Sequence, residues 1–273
     1  TLEITAKAKK MKSEGISVIS FGAGEPDFNT PDPIINAAKQ ALDNGHTKYT
    51  PSSGLLPLRK AICEKFKRDN GLDYEPSQII VSNGAKHSIY NACYAILDEG
   101  DEVIIPEPYW LTYPEVVKVC GGVPKYLSCK KENKYKFSAE ELKAAITPKT
   151  KLLILPYPNN PTGAIMTREE LEPIAEILRG TNIAVLSDEI YSELTYSGKH
   201  VSIASLEGMR ERTIIASGFS KAYAMTGWRI GYVCAPKEIA QHMLKIHQFA
   251  IMCAPTTCQY AALEAMVAGD EDI

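Results

Sequence analysis

Short apolar runs recur along this chain, each closing on Pro, Gly or Asp and leading into a helix-like pattern. Ile79-Ile80-Val81-Ser82 passes through Asn83-Gly84-Ala85-Lys86 into an apolar-periodic helix from Ser88 to Leu97. Glu102 to Ile105 reads as a strand ending at Pro106, with a helix expected from Trp110 to Cys120. Leu152 to Leu155 closes at Pro156, and Ile183 to Leu186 and Thr213 to Ala216 add two more strands. Ser138 with Glu141, and Thr167 with Glu170, have capping-box spacing and mark two helix starts, the second helix running towards Arg179. The strand runs are apolar throughout rather than alternating, which is the pattern of strands buried on both faces. Strand and helix in alternation predict an α/β fold with a mostly parallel sheet and helices on both faces. Sheets of that kind bind ligands beyond the carboxyl ends of their strands. Chemistry is therefore expected in the residues that follow each run.

Length and charge narrow the options. The 273 residues suit one large α/β domain or two smaller ones. A formal net charge of −3 gives no reason to expect a nucleic-acid or membrane partner. Seven cysteines, an odd number without a Cys-x-x-Cys pair, fit neither a disulfide framework nor a zinc site, and no metal site is expected. Reduced, buried thiols in a cytoplasmic protein are the expectation, and no run is apolar over a length that spans a bilayer. Before about residue 45 the texture changes. Phe21-Gly22-Ala23-Gly24-Glu25-Pro26-Asp27-Phe28 is a loop, and Pro31 to Asn44 reads as a peripheral helix. The expected division is a segment 1–45 contributing to a smaller unit and to an active-site loop, and a large unit 46–273.

Four strand ends carry residues with chemical meaning. At Ser82-Asn83-Gly84-Ala85-Lys86 a strand runs through glycine into a helix and offers backbone N–H groups to an anion, although a plain tight turn has the same sequence. It lacks the dinucleotide and Walker glycine patterns. Asp188 stands where a carboxylate fixed at the sheet rim would pair with a protonated ring nitrogen, or would simply cap the next helix. Lys221 follows Ser217-Gly218-Phe219-Ser220; a desolvated amine there becomes a nucleophile, whereas most lysines are surface charges. Arg229, between Trp228 and Ile230, needs an anionic partner if it is buried. Asn160, among the prolines of Pro156-Tyr157-Pro158-Asn159-Asn160-Pro161-Thr162-Gly163, is held to aim its amide at a ligand or merely forms a turn.

Together these segments are far more specific than each alone. Asn-Asn-Pro-Thr-Gly (159–163), Ser-Asp-Glu-Ile-Tyr (187–191) and Gly-Phe-Ser-Lys-Ala-Tyr-Ala-Met-Thr-Gly-Trp-Arg-Ile-Gly (218–231) resemble the class I and II aminotransferases, enzymes of pyridoxal-phosphate fold type I. The likeness extends to residues 22–28, Lys48-Tyr49-Thr50-Pro51 and Pro108-Tyr109-Trp110, and is nearest to the bacterial aspartate aminotransferases, with aromatic and broad-specificity enzymes similar over the second half.

The resemblance implies pyridoxal 5′-phosphate as cofactor. It implies Lys221 as the residue that carries it and then moves the substrate proton, Asp188 as partner of the ring nitrogen, and Asn160 and Tyr191 as hydrogen-bonding the ring oxygen. Gly84, Ala85 and Lys86 would hold the phosphate with Arg229, and Trp110 would stack on the ring. Tyr49 would reach the phosphate of a neighbouring subunit, which implies a homodimer with shared sites. Gly24, Trp110 and Asn160 would face the substrate. Gly218 departs from a serine common in the family at that position, with Ser217 and Ser220 on either side. A C-terminal small domain with a carboxylate-binding arginine is expected of the family and is missing from this sequence. The expected reaction is transfer of the amino group of aspartate to 2-oxoglutarate. Aromatic or prephenate transamination and a C–S lyase use the same residues. A transcription regulator would need a helix-turn-helix segment, and a nicotinamide dehydrogenase the missing glycine fingerprint.

Overall fold

The computed structural model describes residues 2–273 apart from Phe21 and Ala23, which therefore drop out of the 21–28 loop expectation; the side chains of Leu2, Asp270 and Asp272 are also outside the description. Among the described residues seven strands form one sheet: β1 (Ile79–Ser82), β2 (Glu102–Glu107), β3 (Val123–Ser128), β4 (Thr150–Leu155), β5 (Ala184–Asp188), β6 (Thr213–Gly218) and β7 (Gly231–Cys234). Their order is β1-β7-β6-β5-β4-β2-β3. β7 runs antiparallel to both β1 and β6, and the remaining pairs are parallel.

The apolar strand runs are explained by burial on both faces. Along β4, Leu152 and Ile154 pack to one side and Leu153 and Leu155 to the other, all essentially inaccessible. The first side is covered by α4 (Ala85–Ile96), α5 (Thr112–Val119) and α8 (Lys237–Ile251). The second is covered by α3 (Leu56–Asn70), α6 (Ala139–Ala145), α7 (Arg168–Arg179) and α9 (Thr256–Ala268). The helix α2 (Asp32–Asp43) buries Ile34 and Ala38 in the same core as α3 and α9, while α1 (Leu2–Ser13) lies before the 21–28 loop. Both capping boxes form, at Ser138 with Glu141 and at Thr167 with Glu170. No helix among the described residues is long and apolar enough to cross a membrane.

One expectation needs correction, and β3 and β7 have no counterpart among the expected strands. β2 does not stop before Pro106 but runs on to Glu107. Its pairing with β4 ends at Ile104, so the missing N–H of Pro106 costs no ladder bond there, and pairing continues on the β3 side. The edge strand β3 was not foreseen. Its exposed Lys125 and Tyr126 and its Pro124 give it the polar texture of an edge that resists further pairing.

The topology gathers one rim. β1, β2, β4, β5 and β6 point their carboxyl ends the same way, and antiparallel β7 brings its first residue, Gly231, to that rim as well. Every strand-end segment singled out in the sequence therefore opens on one side of the sheet.

Candidate active site

A cavity of about 380 Å³ lies on this rim, lined by Gly24, Glu25, Ala85, Lys86, Trp110, Asn160, Asp188, Tyr191, Ser220, Lys221 and Arg229 among others. That size suits a small cofactor with its substrate. Of the expected residues only Gly84 and Tyr49 are not in its wall. Gly84 lies directly behind it. Tyr49 stands away from it and is 82% exposed, so it does not serve to cover its own domain.

The anion-binding end is built at the β1–α4 turn. Gly84 has φ +84°, a conformation that disfavours a side chain, and a Cβ there would sit 2.5 Å from the Arg229 guanidinium. Its own N–H donates to the Ser82 carbonyl at 2.9 Å. Gly84 thus shapes the turn, and the N–H groups of Ala85 and Lys86, in the first turn of α4, are the open donors. Gly231 lets β7 approach, because a Cβ on it would lie 2.6 Å from the Ala85 nitrogen. Arg229 holds a left-handed backbone (φ 52°, ψ 53°) and donates to the Thr226 carbonyl at 2.7 Å. It is exposed rather than buried, so the anionic partner that burial would have demanded is not required, and no ion pair involves it among the described residues. Its charge is turned into the cavity. Ser220 lines the cavity too. Ser217 is turned away and donates to the Glu189 carbonyl at 3.3 Å. At Gly218 a Cβ would meet the Gly231 Cα at 2.8 Å, which accounts for glycine at a position where serine is common.

The opposite end carries the buried carboxylate. Asp188, at the end of β5, is 4% exposed. Its Oδ2 accepts the Tyr113 hydroxyl at 2.7 Å and its Oδ1 accepts the Ile190 N–H at 3.3 Å, a local turn rather than the helix cap that was its alternative reading. Burial pushes its pKa up to about 6 against the pull of these two bonds. No cation pairs with it among the described residues. Glu189 faces the other way, buried, where it accepts from Ser187 (2.8 Å) and Ser202 (2.6 Å) and meets His200 Nε2 at 2.9 Å. Burial works to raise its pKa, and these partners outweigh it and hold it below the usual carboxylate value. This network fixes the strand end that carries Asp188.

Between the two ends stand the reactive groups. The Lys221 amine donates to the Gly24 carbonyl and lies 5.7 Å from the Tyr191 ring centroid. Burial lowers its pKa, Glu25 opposes the shift and Arg229 adds to it, so the neutral amine is more accessible than in a free lysine. Glu25 is held by the Thr226 hydroxyl at 3.0 Å. Tyr191 is hydrogen-bonded with Asn160; burial first and the Asp188 charge second raise its pKa, and that bond works against the rise. Trp110 presents its ring to Lys86 Nζ at 4.7 Å from the centroid and packs edge-on against Tyr113. Tyr113, Glu25, Ser220 and Thr226 were not anticipated as site residues. Tyr113 alone had a signal, its place three residues after Trp110.

The match of the family model for aminotransferase class I and II covers residues 16–273. An aspartate aminotransferase of Bacillus sp. (strain YM-2) is 54% identical over 267 residues, 97% of this chain and 68% of that protein. An aspartate/prephenate aminotransferase of Cereibacter sphaeroides is 46% identical over 269 residues, 97% of this chain and 67% of that protein. The structure of the Thermus thermophilus aspartate aminotransferase with maleate superposes with a TM-score of 0.95 at 42% identity, covering 98% of this chain and 70% of that one. The chain belongs to the class I and II aminotransferases. It has the fold type I large domain, and pyridoxal phosphate is the cofactor of these enzymes. The residues fit that group: a buried carboxylate and an arginine beside a helix start, neither in an ion pair among the described residues, with an amine of lowered pKa and an aromatic wall.

Proposed function

We propose that the chain is the cofactor-binding part of a cytoplasmic enzyme that transfers the amino group of aspartate to 2-oxoglutarate, working as a homodimer with shared sites. Residues 46–273 form its large unit, and the 1–45 segment supplies the loop at Gly24 and part of a smaller unit.

When bound, pyridoxal phosphate supplies a place for the electron pair left behind as the substrate Cα loses its proton. Lys221 is the residue that would hold the cofactor, and its neutral amine, when free, would take the substrate Cα proton and return one. Asp188, unpaired and desolvated, keeps a proton on the ring nitrogen, while Tyr113 keeps Asp188 charged. Asn160 and Tyr191 bond the ring oxygen. The Ala85 and Lys86 N–H groups, with Arg229 and Ser220, hold the phosphate, and Gly84 shapes their turn. Trp110 covers one ring face and, with Gly24 and Asn160, meets the substrate. The observation that carries this reading is that one cavity is lined by both Asp188, a buried carboxylate without a cation partner among the described residues, and Lys221, a lysine with a lowered pKa, on neighbouring strand ends.

Lys86 favours a substrate with a second carboxylate. Its ammonium lines the cavity above Trp110 and has no acidic partner among the described residues. Prephenate, a dicarboxylate with a ring, is the second reading, favoured by the name of the Cereibacter sphaeroides relative.

Borohydride reduction of the loaded protein followed by peptide mass mapping is expected to place the cofactor on Lys221. An adduct on another lysine removes the assignment. With the full-length protein and 2-oxoglutarate, aspartate is expected to outrun phenylalanine and tyrosine as donor; the reverse order would replace aspartate by an aromatic donor.

A further inference from the structure

Behind the β1–α4 turn lies a polar cluster, half-buried at Asn83 and His87 and buried at Asn91, with no part in the chemistry above. Asn83, His87 and Asn91 follow one another at four-residue steps, Asn83 in the turn and the other two on α4. The Asn83 N–H donates to His87 Nδ1 at 3.3 Å, and His87 Nε2 stands 3.3 Å from the Asn91 side-chain amide. The His87 ring stacks on His247 of α8, centroids 5.2 Å apart at 27°. His247 is fully buried with neither ring nitrogen partnered, and Asn83 Oδ1 and Asn91 Oδ1 are buried and unpartnered as well.

These contacts decide a protonation state. A nitrogen that accepts an N–H carries no proton, so Nδ1 is bare and the neutral ring has its hydrogen on Nε2. That hydrogen needs an acceptor. Turning the Asn91 amide by 180° supplies its oxygen and satisfies an otherwise orphaned atom. A charged ring would point a second N–H at Asn83, so charge on His87 and the bond to Asn83 exclude each other. Asn83 is gripped from the other side too, because its carbonyl faces Arg229 Nη2 at 3.5 Å.

We infer that His87, as the neutral Nε2–H tautomer, is a positioning residue for the cofactor phosphate: it fixes Asn83 and so the direction of the Ala85 and Lys86 N–H groups. The inference rests on the cofactor reading above. The groups facing His87 are few. His247 stacks on it from α8, Lys86 on its own helix lies above Trp110, Arg229 bonds the Thr226 and Asn83 carbonyls rather than the ring, and no carboxylate contacts the ring among the described residues. Burial depresses the pKa of His87, and that of His247 down to about 4, which keeps both rings neutral at ordinary pH.

Two measurements on the full chain test this. In cofactor-free protein labelled with ¹⁵N-histidine, the His87 ring nitrogens are expected to show bare Nδ1 and protonated Nε2 at pH 7.5; the opposite tautomer overturns the inference. Pyridoxal phosphate affinity, read from quenching of tryptophan fluorescence in a Trp228→Phe background that leaves Trp110 as the one emitter, is then followed from pH 8 to pH 5. His87→Gln offers an acceptor oxygen that does not titrate. Wild type is expected to lose about tenfold more affinity than this variant for each unit below the His87 pKa. Titration of the phosphate and of Asp188 is common to both and cancels. His247→Phe, which keeps a ring on His87, is expected to lose affinity as wild type does. Parallel loss in wild type and His87→Gln sinks the proposal alone. No binding by wild type at pH 8 sinks the cofactor reading and the proposal with it.

Discussion

Tyr113 donates its hydroxyl to Asp188 Oδ2 at 2.7 Å, joining the segment after β2 to the end of β5 inside the protein. Both groups are buried, so the bond is the main force keeping the carboxylate charged against desolvation. A hydrogen bond to a charged group contributes ~1.5–3 kcal/mol, or about one to two pKa units. Tyr113→Phe is expected to move the Asp188 midpoint up from about 6 by that amount in the cofactor-free protein. Carboxyl-carbon NMR across pH 4 to 9 measures it. An unmoved midpoint would remove Tyr113 from this role.

Asp188 also makes a prediction about stability. The folded chain holds the Asp188 proton up to about pH 6, whereas the unfolded chain releases it near the ordinary value of 3.8. Between these values the folded state binds more protons, so this group's contribution falls as pH rises. Above pH 6 it costs ~3 kcal/mol, the equivalent of about two pKa units. Asp188→Asn has no charge to bury. It is expected to melt higher than wild type at pH 8 without cofactor, to lose that advantage near pH 4, and to turn over substrate far more slowly. Equal melting temperatures at both pH values would contradict the argument. A gain in stability coupled to a loss of function is what a site tuned for catalysis should show.

Gly231 is a position where one methyl group should matter. Its Cβ would fall 2.6 Å from the Ala85 nitrogen and 2.7 Å from the Gly84 carbonyl carbon, both backbone atoms that cannot rotate away. Gly231→Ala is expected to cost ~1–3 kcal/mol of stability and to weaken cofactor binding at least about tenfold by pushing the helix start aside. Thermal melting and a pyridoxal phosphate titration report the two effects. A variant with wild-type affinity would mean that the turn yields without losing its shape.

Gly231 also shows where the sequence stops being informative. Lys221, Asp188, Asn160 and the Gly84 turn are legible because each follows its own strand, and a parallel sheet brings all such ends to one rim. Gly231 begins an antiparallel strand whose place between β1 and β6 no local pattern announces. Tyr113 matters only because α5, which follows β2, brings it to the end of β5 one strand beyond β4, a relation set by strand order. Glu189 meets His200 across a loop for the same kind of reason. The flanking Trp228 and Ile230 leave open whether Arg229 is buried; the fold leaves it exposed, with a left-handed backbone and its side chain in the cavity wall. No helix is expected at α3 from the sequence, although it has a local signal: Leu58, Ile62 and Phe66 at four-residue spacing, ended by Gly71 in a left-handed cap.

The last prediction concerns Tyr49. It follows Lys48 in a polar, turn-rich loop, is 82% exposed, and lies outside the cavity of its own chain. An aromatic ring so placed contributes nothing to its own core, which fits the proposal that it reaches the phosphate of a partner subunit. On that proposal the cofactor would be least well held whenever Lys221 is free of it, since only non-covalent contacts would then remain. Tyr49→Phe in the full-length protein is therefore expected to loosen the amine form of the cofactor more than the lysine-bound form. A complementation experiment is sharper. Lys221→Ala and Tyr49→Ala subunits are each expected to be inactive alone. In a mixed dimer, one of the two sites receives Lys221 from one chain and Tyr49 from the other, and activity should return. Recovery that tracks the amount of hybrid, measured after unfolding and refolding the two variants together, would support shared sites. No recovery in hybrids verified by mass would confine Tyr49 to its own chain.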